Sequence, residues 1–550
     1  MKELIFGLIG GTALLMYGVD KMGEGLEKAS GEMMKKILNV LTGRVWSAFL
    51  VGTFLTALVQ SSTAITVLTV GFVNAGLMKL PQAIGIIYGA NIGTTITAQI
   101  MSASYSFNLT DIALPILGIG FTISYFAKNK TLKNLGDAIM GFGMMFLGLK
   151  ILNGGIPFLK ESVKLKFFFE HYASNPLVGI LLGAMVTALV HSSSATIALV
   201  MVLAEAGLID IRTSILIMLG DNIGTCITAQ LASLAGNINA RRTAWGHTLY
   251  NIFGVVLAGA TLPFFVKLVT WSTNYLQGAN NISAQIANSH TIFNIVSAVI
   301  FLPLTRYYVK FLETFIRGKE DKTKKTLYLD KLLLDTPVAA LKASISETVR
   351  GAEVARNMVK NVLDSFYDKG PEKIELVNKD EQTINMLQKE ITSYIVDLSK
   401  GKLTHSQSVM VPAIINNINN VERIGDHAVD ISELSQSRID GNLAFTKEAI
   451  DELKDVEATV LEMIDTTITA LKDNNISLVP KIIELEDKTD ELSKRLNSNH
   501  LRRLDEGSCC VEAGVLFIDI VNHLERIADH AYKIAMSLQD ELQGTLKFDE

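Results

Sequence analysis

The 550-residue sequence predicts an all-α protein in two bodies, a polytopic membrane bundle with inverted repeats and two re-entrant hairpins, then a soluble pair of three-helix bundles. Three observations predict it. A stretch from Thr56 to Gln99 recurs from Thr187 to Gln230 without a gap, at a constant offset of 131 residues and with about half of the positions identical. Apolar runs long enough to cross a hydrocarbon layer, roughly 20 residues each, fill the chain as far as Arg317, and charge at helical spacing dominates beyond it. A motif of that charged half also occurs twice, Asn420-Val-Glu422-Arg423-Ile-Gly-Asp426-His427-Ala and His523-Leu-Glu525-Arg526-Ile-Ala-Asp529-His530-Ala.

Composition narrows the function classes. A net charge of −5 and no basic stripe with interleaved aromatics argue against nucleic acid as a partner. Three cysteines, Cys226 and the vicinal Cys509 and Cys510, make no disulfide framework, which places the soluble half in a reducing cytoplasm. The first apolar stretch, Leu4–Val19, has no basic leader and no clear cleavage site, so it reads as a retained helix.

Along the membrane part (1–317), continuous spans are expected at Leu4–Val19, Pro81–Ser102, Asp111–Ala127, Leu135–Leu152, Ile211–Ala235, Thr243–Val269 and Thr291–Phe315. Trp46–Ala75 and Pro176–Ala206 differ. Each apolar run is too long for one comfortable crossing and is broken halfway by Gln60-Ser61-Ser62-Thr63 or His191-Ser192-Ser193-Ser194. Backbone freed from a helix at that depth is tolerated where protein or a water-filled cavity satisfies it, so both Ser-rich tips should line a cavity. Gly11, Gly18 and Gly25 of the first span echo Gly141, Gly148 and Gly155 of the fourth, which gives repeats of about 1–130 and 131–270 with a final span at 291–315. Three crossings per repeat, an odd number, turn the second copy upside down.

Charge orients the bundle. Lys21, Lys28, Lys35, Lys36, Arg44, Lys128, Lys130, Lys133, Arg241, Arg242, Arg317 and Lys319 fall on the side of the soluble half, while the segments 104–108 and 274–288 carry almost none. The expected address is the cell membrane, multi-pass, with the C-terminal domain cytoplasmic. A charged linker occupies 318–334, and 335–540 holds the two helical bundles.

Serine hydroxyls donate and accept, and helix N-termini starting just after a break aim N–H groups at the cavity, a combination that suits an oxyanion. Unpaired carbonyls with Asn, Gln and Thr oxygens suit a small hard cation. Such residues also glue membrane helices together without binding anything. Duplication of both the Ser-rich tip and the Asn-Ile-Gly-Thr span favours a site. Asp221 is the sharpest residue, an ionisable carboxylate where the first copy has Ala90. Asn74 and Glu205 correspond too and read as solvated residues near the membrane surface.

Gln60-Ser61-Ser62 with Gly89-Ala-Asn91-Ile-Gly93-Thr94, and their second copies, resemble the signatures of type II sodium-dependent phosphate cotransporters over about 4–315. The resemblance implies a phosphate site of Gln60, Ser61, Ser62, Ser192, Ser193 and Ser194, and the polar tips add Thr63 and His191 as candidates. It implies that Asn91, Thr94, Asn222 and Thr225 help form the sodium and substrate sites; Thr95, Gln99, Gln230 and Asp221, the last otherwise a structural carboxylate at a helix end, complete the candidate sodium ligands. His191 departs from the glutamine usual at that position.

The C-terminal half resembles PhoU, a protein associated with phosphate-transport regulation, over about 335–539. Glu422, Asp426 and Asp430 share one helix face, as do Glu525 and Asp529. With Glu381, Glu486 and Asp490 from neighbouring acidic segments they form the candidate ligands of a divalent or transition metal, the second set weakened by Lys533 where the first has Asp430. A solvated acidic face paired with Arg423 and Arg526 is the alternative.

The function expected is sodium-coupled transport of inorganic phosphate with no enzymatic step. Its partners are phosphate, sodium and the lipid bilayer, with a second copy of the chain or a cytoplasmic regulatory protein beside them. Two rivals stand beside it: a membrane-anchored phosphate sensor, and a sodium-coupled transporter of another oxyanion such as sulfate or a carboxylate.

Overall fold

The computed structural model describes residues 2–30, 44–160, 163–234, 236–277, 281–318, 326–334, 336–401 and 403–546. Lys35, Lys36, Ala235, Asp335 and residues 319–325 of the linker, Lys319 among them, lie outside these residues. Every element among them is helical. The contacts divide the chain into a unit ending at Asp321 and a second beginning at Lys322.

The first unit opens with α1 (Lys2–Ala29), α2 (Val45–Val59), α3 (Ser62–Asn74), α4 (Leu80–Phe107), α5 (Ala113–Phe126) and α6 (Lys130–Gly154). Two short helical turns at Ile156–Lys160 and Val163–Phe168 lead to α7 (Pro176–Val190), α8 (Ser193–Glu205), α9 (Ile211–Gly224), α10 (Cys226–Ser233), α11 (Ile238–Ala260), α12 (Leu262–Gln277) and α13 (Ile282–Phe315). Four stretches among the described residues are long and apolar enough to cross a membrane: Leu109–Phe126, Lys130–Phe158, Ile211–Ser233 and Ile282–Phe315.

Glycine sets how closely these helices approach. A Cβ on Gly18 of α1 would collide with the backbone of Gly141 and Met145 on α6, and one on Gly141 with Met22, so neither position accepts a side chain. Close packing of α2 on α4 and of α7 on α9 repeats the same contacts: a Cβ on Gly93 would lie 2.6 Å from Thr56 Cβ, and one on Gly224 2.7 Å from Thr187 Cβ. The duplication is therefore one of backbone geometry as well as of residues.

Two expected spans are not single continuous helices. Thr243–Val269 breaks at Thr261, where α11 and α12 meet at 88°. Pro263 at the start of α12 explains it, since its ring lacks an N–H and clashes with a continuing helix. Ile211–Ala235 is interrupted at Thr225, whose hydroxyl donates back to the Asn222 carbonyl at 2.8 Å and competes with the helical ladder.

The second unit consists of α14 (Pro337–Asp368), α15 (Glu372–Ser399), α16 (His405–Asp440), α17 (Lys447–Asp473), α18 (Val479–Asp505) and α19 (Val511–Leu546). α14–α16 and α17–α19 form two three-helix sets, and α16 packs along α19. Their apolar stripes close a core that includes Phe366, Ile424, Phe517 and Ile527. Fully buried Glu347 accepts from the backbone N–H groups of Leu327 at 3.0 Å and Tyr328 at 2.6 Å and pairs with Arg350, fastening the incoming segment to α14.

Candidate functional site

Each Ser-rich tip is built the same way. α2 ends at Gln60 with φ of 59°, and α7 at His191 with φ of 56°, both in the left-handed region that side-chain-bearing residues rarely adopt. The next residue caps the following helix: Ser61 Oγ accepts from the Ala64 N–H at 3.2 Å, and Ser192 Oγ from the Ala195 N–H at 3.3 Å. This leaves the first amides of α3 and α8, those of Ser62, Thr63, Ser193 and Ser194, without intrahelical acceptors. The hydroxyls of the same four residues make no hydrogen bond among the described residues, and neither first turn carries an acid.

The left-handed residues are held by equivalent threonines. Thr97 Oγ1 donates to Gln60 Oε1, while Gln60 Nε2 bonds the Ala57 carbonyl; Thr228 Oγ1 lies 3.5 Å from His191 Nδ1. Gln60 is buried, whereas His191 is exposed.

An amide network joins α4, α9, α11 and α13. Asn91 Nδ2 donates to Asn251 Oδ1 at 2.7 Å, and Asn251 Nδ2 donates to the Asn222 carbonyl at 2.9 Å. His247 Nε2 lies 3.3 Å from Asn91 Oδ1, and Asn294 Nδ2 lies 3.4 Å from Asn222 Oδ1. All of these residues are buried.

Asp221 is wholly buried. Its Oδ1 accepts from Thr187 Oγ1 at 2.6 Å, and Thr187 in turn reaches Thr196 at 2.8 Å. Its Oδ2 has no partner among the described residues. In the first copy Ala90 stands in its place, and the hydroxyl of Thr56, the counterpart of Thr187, is buried without a partner among the described residues. A buried carboxylate with an open oxygen is a strong acceptor for a small cation.

Not every candidate joins this group. Gln99 donates to Asn288 at 3.0 Å and Thr291 at 2.9 Å on α13, and Gln230 to Thr248 at 2.7 Å on α11. Thr94, Thr95 and Thr225 spend their hydroxyls on carbonyls of their own helices. Asn74 and Glu205, expected to be merely solvated, are bonded: Asn74 Oδ1 accepts from the Asn237 N–H at 2.6 Å and Glu205 Oε1 from Ser283 Oγ at 2.7 Å. His247, Asn251, His290 and Asn294 were not foreseen, although His247-Thr-Leu-Tyr-Asn251 and His290-Thr-Ile-Phe-Asn294 repeat one pattern in the sequence.

In the second unit Glu486, Asp490, Glu525 and Asp529 are brought together on α18 and α19. Burial, then the charges of Asp490, Asp487, Asp529 and Glu525, raise the pKa of Glu486; burial, Asp490 and Asp529 raise that of Glu525. Among the described residues these four do not gather their oxygens at metal-ligand spacing, and Lys533 is not among the charges that shift Glu486 or Glu525. In the other set, burial and Asp426 raise Glu422, and burial and Asp430 raise Asp426. Glu381 instead accepts from Asn385 at 3.3 Å and is not among the groups that shift Glu422 or Asp426.

Comparison with known proteins places both halves. Residues 14–154 and 160–273 match the model of the Na+/Pi-cotransporter family, and residues 348–435 and 453–538 match the PhoU domain. YjbB of Escherichia coli (strain K12), named for inorganic phosphate export, is 25% identical over 538 residues, 97% of each chain. YqeW of Bacillus subtilis (strain 168) is 32% identical over 319 residues, 57% of this chain and 99% of its own length. Sodium-dependent phosphate transport protein 2B of Pongo abelii is 31% identical over 144 residues, 25% of this chain and 20% of its own.

Proposed function

Since the chain belongs to the Na+/Pi-cotransporter family and carries PhoU domains, we propose that it moves inorganic phosphate across the cytoplasmic membrane in exchange for sodium's free energy, under control of its cytoplasmic C-terminal half. The observation that carries the reading is the twin tip geometry. Ser62 and Thr63 in one copy, and Ser193 and Ser194 in the other, offer hydroxyls and helix-end N–H groups of equal geometry to one tetrahedral anion.

Sodium belongs beside it. Asp221 supplies a full negative charge and the Asn91 and Asn222 amides polar oxygens, so that bound cation and anion offset much of each other's desolvation. Gln99 and Gln230, already bonded to other helices, serve as braces of this site rather than ligands. The two copies face opposite sides of the membrane, and opening one tip while closing the other exposes the same site alternately. Direction in this chain follows the gradients, so that export, for which YjbB is named, and sodium-driven import would both pass through its one site.

Proteoliposome uptake of labelled phosphate tests this. Wild type should accumulate phosphate only with an inward sodium gradient, and Ser62→Ala and Ser193→Ala should each abolish uptake with the protein still inserted. Phosphate binding without flux would leave an anchored sensor instead, and competition by sulfate as strong as by phosphate would change the substrate.

A further inference from the structure

α16 and α19 meet through equivalent residues of the two C-terminal copies, and the two ends of that contact differ. His427 of the first copy corresponds to His530 of the second, and His523 corresponds to Asn420. At one end His530 Nδ1 lies 2.9 Å from Asn420 Oδ1, an ordinary imidazole–amide hydrogen bond. At the other, His427 Nδ1 lies 3.1 Å from His523 Nδ1, and Asp430 Oδ2 lies 3.5 Å from each of those nitrogens. The residue equivalent to Asp430 is Lys533. The first end thus carries His and Asp where its counterpart has Asn and Lys, although an amide suffices to close the helix contact.

We propose that His427, Asp430 and His523 form a mononuclear transition-metal site of zinc type that joins the two C-terminal bundles. The three donor atoms converge within one small sphere. A point about 2.0 Å from all three lies close to their common plane, and bonds of ~2.0–2.1 Å, usual for zinc with imidazole and carboxylate, put the ion just off that plane. The edges of 3.1, 3.5 and 3.5 Å bracket the ~3.3 Å edge of a tetrahedron with such bonds. Asp430 is half exposed, so solvent water can take the fourth position. Nitrogen-rich donors separate this site from the carboxylate set of Glu486, Asp490, Glu525 and Asp529, which suits harder cations. Asp430 accordingly serves the histidine pair rather than the acidic stripe with Glu422 and Asp426.

Full-length protein, stripped with chelator and titrated with Co2+, tests the assignment. Wild type should bind one equivalent with the visible absorption of a four-coordinate site, lose it on adding Zn2+, and melt at higher temperature with Zn2+ present. His523→Asn recreates the His–Asn contact already present at the other end, so the helices still pack, and it should weaken Co2+ binding at least tenfold and remove the melting shift. Asp430→Asn should weaken binding as well. The reciprocal pair Asn420→His with Lys533→Asp should add a second equivalent. Retention of affinity and melting shift in His523→Asn, or their loss in Glu486→Gln with Glu525→Gln but not in His523→Asn, would overturn the proposal.

Discussion

Asn91 and Asn222, equivalent residues of the two membrane repeats, meet through one side chain: Asn251 accepts from Asn91 Nδ2 at 2.7 Å and donates to the Asn222 carbonyl at 2.9 Å. One residue from outside the duplicated stretch therefore couples the two copies at their most similar point.

Replacing it should uncouple them. Asn251→Ala leaves the buried Asn91 Nδ2 without its acceptor and removes one donor from the Asn222 carbonyl, which keeps Thr225 Oγ1, at a cost of about 1 kcal/mol in a membrane interior. Phosphate flux in vesicles should fall at least tenfold while insertion, judged by membrane yield, is unchanged. Wild-type flux in this variant would remove the network from the mechanism.

Asp221 separates charge from hydrogen bonding. Asp221→Asn keeps an oxygen for Thr187 but loses the charge, whereas Asp221→Ala loses both. If the carboxylate holds sodium, both variants should need at least tenfold more sodium for half-maximal flux. A purely structural carboxylate would leave the Asn variant with wild-type sodium dependence.

Gly18 sits where α1 touches the α6 backbone at Gly141 and Met145. Gly18→Val has no flexible neighbour to displace, since the obstructing atoms are main chain. The helices must separate, and the expected outcome is loss of monodisperse protein on detergent size-exclusion chromatography. Gly7, with nothing within 4 Å of its Cβ position, should accept Val without effect.

The carboxylates of α18 and α19 predict a pH effect. Raised folded pKa values mean that Glu486 and Glu525 add stability below the ordinary carboxylate range and lose it as pH rises through the raised values. At neutral pH without divalent cations their repulsion weakens the unit, by roughly 0.2–0.5 kcal/mol per like-charge pair at these partly exposed positions. Glu486→Gln should slow amide hydrogen exchange in α18 and α19 of the full chain at pH 7, and less at pH 4.5. Faster exchange at pH 7 would reverse the sign of the argument.

Much of this was legible in the sequence. The breaks at Gln60 and His191 showed because polar residues interrupt apolar runs too long for one crossing, and the structure turns the chain at those residues. The bend at Thr261 was hidden by hydropathy, which scores Pro263 as just another uncharged residue although it ends a helix. His247, Asn251, His290 and Asn294 escaped because they lie on helices outside the matched stretches, where no internal copy at the same offset marks them. The His427–His523 contact joins residues that do not correspond between copies, so aligning the repeats could not reveal it.

The most direct test of a shared anion site uses Thr63→Cys and Ser194→Cys, each in a chain with Cys509 and Cys510 replaced by serine. The labelling rate by a small thiol reagent is measured with and without inorganic phosphate in sodium buffer. Slower labelling at both positions, half-maximal at the same phosphate concentration, is the predicted result. Protection at one position alone, or at neither while phosphate still binds, would contradict it.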